Sequence, residues 1–167
     1  MMWRNDEDST MELPAPILDA LKPLFQHLPL DRAMPELVPQ RRADARELEL
    51  VQEALAHPEM MARPALCAGI WLYVDELDRS HHISQGIETP TGSFWHAIMH
   101  RREGDFSNSH YWYRRAGLHP AMQNIPDYDA YEFVDEVEKH HAKNPEPLLA
   151  RQRLEWAALF TWCASSQ

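Results

Sequence analysis

Residues 93–117 read SFWHAIMHRREGDFSNSHYWYRRAG, and this stretch sets the fold class that we expect for the whole chain. Ser93 and Asp105 are residue types that cap helix N-termini, and each precedes a helix-length segment that is closed by a glycine. The pattern therefore predicts helices over 94–102 and 106–116. Because the intervening turn is short, the two helices should form an antiparallel hairpin.

Outward from this hairpin the chain has 13 prolines and 5 glycines, with almost none of the alternating β-branched pattern of strands. This composition predicts an all-α, single-domain bundle of about seven helices. Residues 64–78 are apolar nearly all round and should form a central buried helix. Residues 13–167 would make up the domain and 1–12 a flexible N-terminal tail. Other helices are expected at 15–28, 41–57, 80–85 and 127–143 and from Pro147 onward.

The charge and cysteine content exclude several classes of function. The chain carries 16 Lys and Arg against 26 Asp and Glu, a formal net charge of −10, which disfavours a nucleic-acid partner. The longest apolar run, 65–74, is about half of what a membrane-spanning helix requires, so we expect no membrane partner. Cys67 and Cys163 lie far apart and read as free thiols, which favours a reducing, cytoplasmic location.

Residues 81–120 differ from the rest of the chain and predict a site. They contain six of the ten histidines, four arginines and two tryptophans, whereas the flanking sequence is acidic. The six histidines are His81, His82, His96, His100, His110 and His119.

A metal site is one hypothesis for this segment. His96 and His100 are spaced i, i+4, so both imidazoles lie on one side of the predicted helix, and Glu103 continues the same stripe. A third ligand must come from another element, for which we take His110. Such a set would suit a divalent transition metal such as zinc. Other ligands that the sequence leaves open are His81, His82, His119, Glu88 and Asp105.

The leading hypothesis is a cationic, aromatic-walled pocket for a small anionic molecule that carries a phosphate or a carboxylate. Arginine binds such groups through paired hydrogen bonds, and tryptophan can wall the pocket. The residues predicted to bind the ligand are Arg101, Arg102, Arg114, Arg115, Asn108, Trp112, His82 and Gln85.

Arg102 is the most discriminating of these residues. It falls within the apolar arc of its helix, so its guanidinium should point inward and require a carboxylate or an anionic ligand. Asp75, Glu76 and Asp78 are the internal partners that the sequence offers.

Whether the protein is an enzyme stays open at this stage. His96 or His100 could transfer a proton while Glu103 orients the ring, because imidazole titrates near neutral pH. With a bound metal, the same histidines would serve a hydrolase or an isomerase. The remaining alternatives are an interaction module without catalysis, and histidines that only hydrogen-bond or face water.

The block WHAIMHRREGDFSNSHYWYRRAG, followed by HP, resembles the characteristic block of a family of hypothetical proteins. The resemblance extends over residues 84–120 and implies no activity. A weaker similarity is to the metal-binding helical bundles of the DinB/YfiT type, in which histidines from separate helices hold a metal. That similarity implies a distant third histidine as a ligand.

Overall fold

The computed structural model describes residues 2–4 and 10–165, and its nine α-helices in these residues confirm the all-α class. The short α3 had no counterpart in the sequence prediction. The helices are α1 (Ala15–His27), α2 (Ala45–Leu55), α3 (Pro58–Met61), α4 (Pro64–Tyr73), α5 (Leu77–Ser84), α6 (Pro90–Arg102), α7 (Phe106–Ala116), α8 (Ala130–His140) and α9 (Glu146–Ser165). Two 3-10 turns, Pro120–Asn124 and His141–Lys143, flank α8.

Two short strands precede the helices, β1 (Met2–Arg4) and β2 (Thr10–Glu12). They pair antiparallel, with Trp3 opposite Met11. The predicted tail, 1–12, therefore contains a strand pair at 2–4 and 10–12, while residues 1 and 5–9 lie outside the described residues. Met11 is 2% exposed and belongs to the main hydrophobic core, which anchors the second strand.

The predicted hairpin is present, with one boundary moved. Asp105 accepts the Asn108 backbone N–H at 3.2 Å and caps α7, and Gly117 ends it with a φ of 62°. At α6, however, the cap is Thr89 and not Ser93, because Pro90 fits the first helical position. α6 is therefore about one turn longer than predicted.

The predicted helix over 64–78 is divided into two. α4 ends at Tyr73, and Asp75 adopts a left-handed φ of 64°, a conformation that an α-helix does not allow. α5 then begins at Leu77, three residues before the helix expected over 80–85, so Ser80 lies inside it. The Ser80 hydroxyl donates to the Ala68 carbonyl at 2.8 Å and ties α5 to α4.

α6 is buried on every side, since each residue from Thr91 to Arg102 is buried. It packs against α4, α5 and α7. α4 comes especially near because Gly69 has no side chain: a Cβ there would lie 2.8 Å from the Trp95 indole. Within the described ranges, none of the helices is both long and apolar enough to span a bilayer.

Candidate functional site

Three histidines form a cluster between α5 and α6. His96 and His100 occupy successive turns of α6, and the packing of α5 brings His81 to them. One possible ligand atom from each ring lies within 4.8 Å of the corresponding atoms of the other two. We refer to these three residues as the histidine cluster.

Aromatic packing fixes the rings of the histidine cluster. The His96 ring stacks on Trp112 of α7, with centroids 3.9 Å apart, and it also stacks with His100 at 4.8 Å. His81 meets both histidines edge-on, at 4.7 and 5.5 Å. His96 and His100 are only 4% and 8% exposed, so the alternative that these two rings face water does not hold.

The electrostatics of the histidine cluster favour uncharged imidazoles at His81 and His96. Burial, together with the neighbouring His100 and His81, lowers the pKa of His96 to about 4. Burial and His100 also lower the pKa of His81. Neutral imidazole is the form that binds metals, because its free lone pair is the ligand. The lowered pKa also makes His96 a weak general base near neutral pH.

Glu103 orients one member of the histidine cluster. Its Oε1 lies 2.7 Å from Nδ1 of His100 and accepts a hydrogen bond from the N–H at that nitrogen. This contact fixes the ring and leaves Nε2 as the nitrogen that can bind a metal. The predicted association of His100 with Glu103 is therefore present in the structure, with Glu103 as a positioning group.

His110 lies away from the histidine cluster and is not its third member. Its Nε2 is 2.9 Å from Oδ1 of Asp135, and its ring is parallel to that of Tyr131 at 5.9 Å. His110 therefore faces α8, whereas Trp112 of the same helix faces α6. His81, which the sequence offered only as one alternative, takes the place that we predicted for His110.

Arg101 and Arg102 are enclosed by the core, which corrects their predicted role in ligand binding. Both side chains have no exposed surface. The guanidinium of Arg101 lies 2.8 Å from a carboxylate oxygen of Glu155 and also donates to Tyr113. Arg102 lies 2.5 Å from Asp75, one of its expected internal partners. Neither guanidinium can reach an incoming anion, so both are structural.

A polar cleft of about 540 Å³ adjoins the histidine cluster and shares His96 with it. The end of α5, the loop that follows it, the first turns of α6 and one face of α7 form the walls. The lining residues are Ser84, Gln85, Ile87, Glu88, Thr89, Pro90, Ser93, His96, Trp112 and Arg115. Gln85, Trp112 and Arg115 were predicted to bind a ligand, and the structure brings them together here.

The other predicted ligand-binding residues do not line this cleft. Asn108 donates from Nδ2 to Asp105 at 2.8 Å and belongs to the cap of α7. Arg114 and His82 are exposed elsewhere on the surface. The sequence offered Glu88 only as a possible metal ligand and Ser93 only as a helix cap. Their place in the lining depends on how the loop after α5 folds against α6.

Arg115 is the cation of the cleft. Its guanidinium lies over the rings of Trp112 and Tyr111, 5.4 and 5.9 Å from their centroids. Among the residues that the structure describes, no carboxylate forms an ion pair with it. Arg115 is therefore available to an anionic ligand. The cleft lining also contains one negatively charged side chain, the exposed Glu88.

The fold and the site together define an α-helical protein with a histidine cluster beside a polar cleft. Comparison with protein-family models, curated proteins and solved structures found no match for this chain. The resemblance of residues 84–120 to a family of hypothetical proteins thus stays a prediction.

Proposed function

We propose that this protein is a metal-dependent enzyme, in which His81, His96 and His100 hold a divalent transition metal such as zinc. The observation that carries the proposal is the convergence of three imidazoles, two of them buried, whose possible ligand atoms lie within 4.8 Å of one another. A structural histidine is ordinarily paired with one polar partner. His100 has such a partner in Glu103, but His81 and His96 have no hydrogen-bonding partner among the described residues, and both rings lie against that of His100.

Three histidine ligands are the arrangement of catalytic zinc sites that keep a fourth position open. A metal held in this way supplies a bound water of lowered pKa and polarises a carbonyl or phosphoryl oxygen. His96 belongs both to the histidine cluster and to the lining of the cleft, so a molecule in the cleft would lie beside the metal. Hydrolysis or isomerisation of a small molecule fits this arrangement.

The cleft favours an anionic substrate. Arg115 has no carboxylate partner among the described residues, and a divalent metal would add further positive charge beside His96. Trp112 supports the Arg115 guanidinium and leaves its hydrogen-bonding edge for a carboxylate or phosphate.

A second candidate is proton transfer without a metal, which the contact of 2.7 Å between His100 and Glu103 favours. In that case His100 carries the proton and Glu103 holds its ring in position. His96 would not share this role, because its pKa is lowered to about 4.

Metal content tests the proposal directly. We expect the full chain, purified without a histidine tag and exposed to zinc, to retain about one equivalent after gel filtration. His81→Ala and His96→Ala should lose it, because each removes a ligand. His110→Ala is the matched control and should keep it, since His110 pairs with Asp135.

Two results would overturn the metal site. One is wild-type protein that retains less than about a tenth of an equivalent of any transition metal. The other is a His81→Ala variant that binds zinc as well as the wild type. Persisting catalysis by such metal-free protein, lost in His100→Ala, would favour the second candidate.

A further inference from the structure

A second hollow of about 500 Å³ lies beyond one wall of the polar cleft. Ile87 and Thr89 line both spaces, so the short segment 87–89 is the divider between them. The second hollow therefore adjoins the proposed site across this segment.

The two hollows differ in chemistry. The second is lined by apolar groups from the start of α4 and from α9, among them Ala65, Leu66 and Trp162. Its one charged side chain, Arg63, is already engaged, since it donates to the Ala164 carbonyl at 2.9 Å. An apolar surface of this kind gains free energy when it is covered by hydrocarbon.

The divider is built into the fold. Gly92, in the first turn of α6, has no side chain, and a Cβ there would lie only 1.9 Å from the Ile87 carbonyl oxygen. The backbone at Ile87 is thus seated directly on α6, and Thr89 caps the same helix. The spacing between the polar cleft and the apolar hollow is therefore fixed by backbone packing.

We infer that the substrate is amphipathic: a small anionic head occupies the polar cleft, and an apolar tail crosses the divider into the hollow beside Ala65 and Trp162. This inference rests on the proposed function, because the metal and Arg115 would hold the head. A polar cleft alone fits a small hydrophilic molecule, whereas the adjoining apolar hollow selects a molecule that carries an alkyl or aryl chain.

Linear alkyl hydroxamates from acetohydroxamate to octanohydroxamate test this inference, since their common head chelates zinc and only the chain length varies. With zinc-loaded full-length protein, calorimetry should show affinity that rises about two- to fourfold for each methylene that becomes buried. Ala65→Trp fills the hollow and should abolish this dependence, while acetohydroxamate binds as before. Ala65→Val should reduce the dependence in part.

Ala158→Trp is the matched control, because Ala158 lines a different hollow on α9. This variant should retain the dependence on chain length. If acetohydroxamate binds but longer chains bind no better to the wild type, the apolar tail is wrong while the metal site stands. If no member of the series binds in the presence of zinc, the metal site is wrong and the tail inference falls with it.

Discussion

The indole of Trp112 lies parallel to the imidazole of His96, with an interplanar angle of 14° and ring centroids 3.9 Å apart. This stack joins α7 to the histidine cluster, and both of its residues line the polar cleft. The Arg115 guanidinium lies over the same indole, 5.4 Å from the ring centroid. The stack therefore contributes both to the burial of His96 and to the shape of the cleft.

Trp112→Ala should raise the pKa of His96 from about 4 towards its ordinary value. Burial is the main cause of the lowered pKa, and loss of the indole admits water to the ring. Titration of the metal-free protein followed by NMR of the histidine ring protons measures the change. Tyr111→Ala is the control, since Tyr111 is exposed and does not stack on His96. Equal shifts in both variants would contradict the assigned role of the stack.

The stability of the metal-free protein should fall as the pH is lowered from about 6.5 to about 4. In this window the unfolded state takes up a proton at His96 and the folded state does not, so acid favours unfolding. Above pH 6.5 His96 is neutral in both the folded and the unfolded state, so the free energy of unfolding carries no penalty from its protonation. Urea unfolding at several pH values measures the effect. His96→Gln should flatten the pH dependence, and an unchanged slope would contradict the assignment to His96.

Arg102→Ala should destabilise the fold by about 3–5 kcal/mol, because it leaves the Asp75 carboxylate buried without its main cation. Replacement of both partners, as in Arg102→Met with Asp75→Leu, should recover part of the loss. Arg114→Ala, an exposed arginine, should change the free energy of unfolding by less than about 0.5 kcal/mol. Urea denaturation checks all three. A stable Arg102→Ala variant that had lost only ligand binding would restore the role predicted from sequence.

Arg115→Ala should weaken the binding of an anionic probe by about two- to fivefold, the range expected of an exposed charge pair. The probe is the monohydroxamate of succinate, compared with neutral butyrohydroxamate on zinc-loaded protein. Arg114→Ala is the matched control on the same turn, since Arg114 does not line the cleft. If both variants lose the preference for the charged probe equally, general surface charge and not Arg115 is responsible.

The local sequence was sufficient to predict the ends of a helix wherever those ends are set by interactions between neighbouring residues. The residues observed in α7, Phe106–Ala116, are those predicted, because its cap at Asp105 and its end at Gly117 are local interactions. The division of 64–78 into α4 and α5 was not predictable in this way. It depends on the left-handed backbone at Asp75, whose carboxylate is held by Arg102 from another helix.

In the candidate site, too, local features could be predicted from the sequence and contacts between separate helices could not. The pairing of His96 with His100 could be predicted from their spacing, because one turn of helix places both rings on one side. The choice of His81 over His110 as the third member could not, since it depends on which faces of α5 and α7 pack against α6. The inward direction of Arg102 was also predictable from the helical pattern, but its engagement by Asp75 required the tertiary structure.

By itself, then, the sequence determined that this protein is helical, where its hairpin turns and ends, and which segment carries the histidines. Only the tertiary structure decided which histidines meet, which arginines are enclosed by the core, and that an apolar hollow adjoins the polar cleft. The physical reason is that helix capping and periodicity act over a few residues, whereas a site is made where separate helices come together and exclude water.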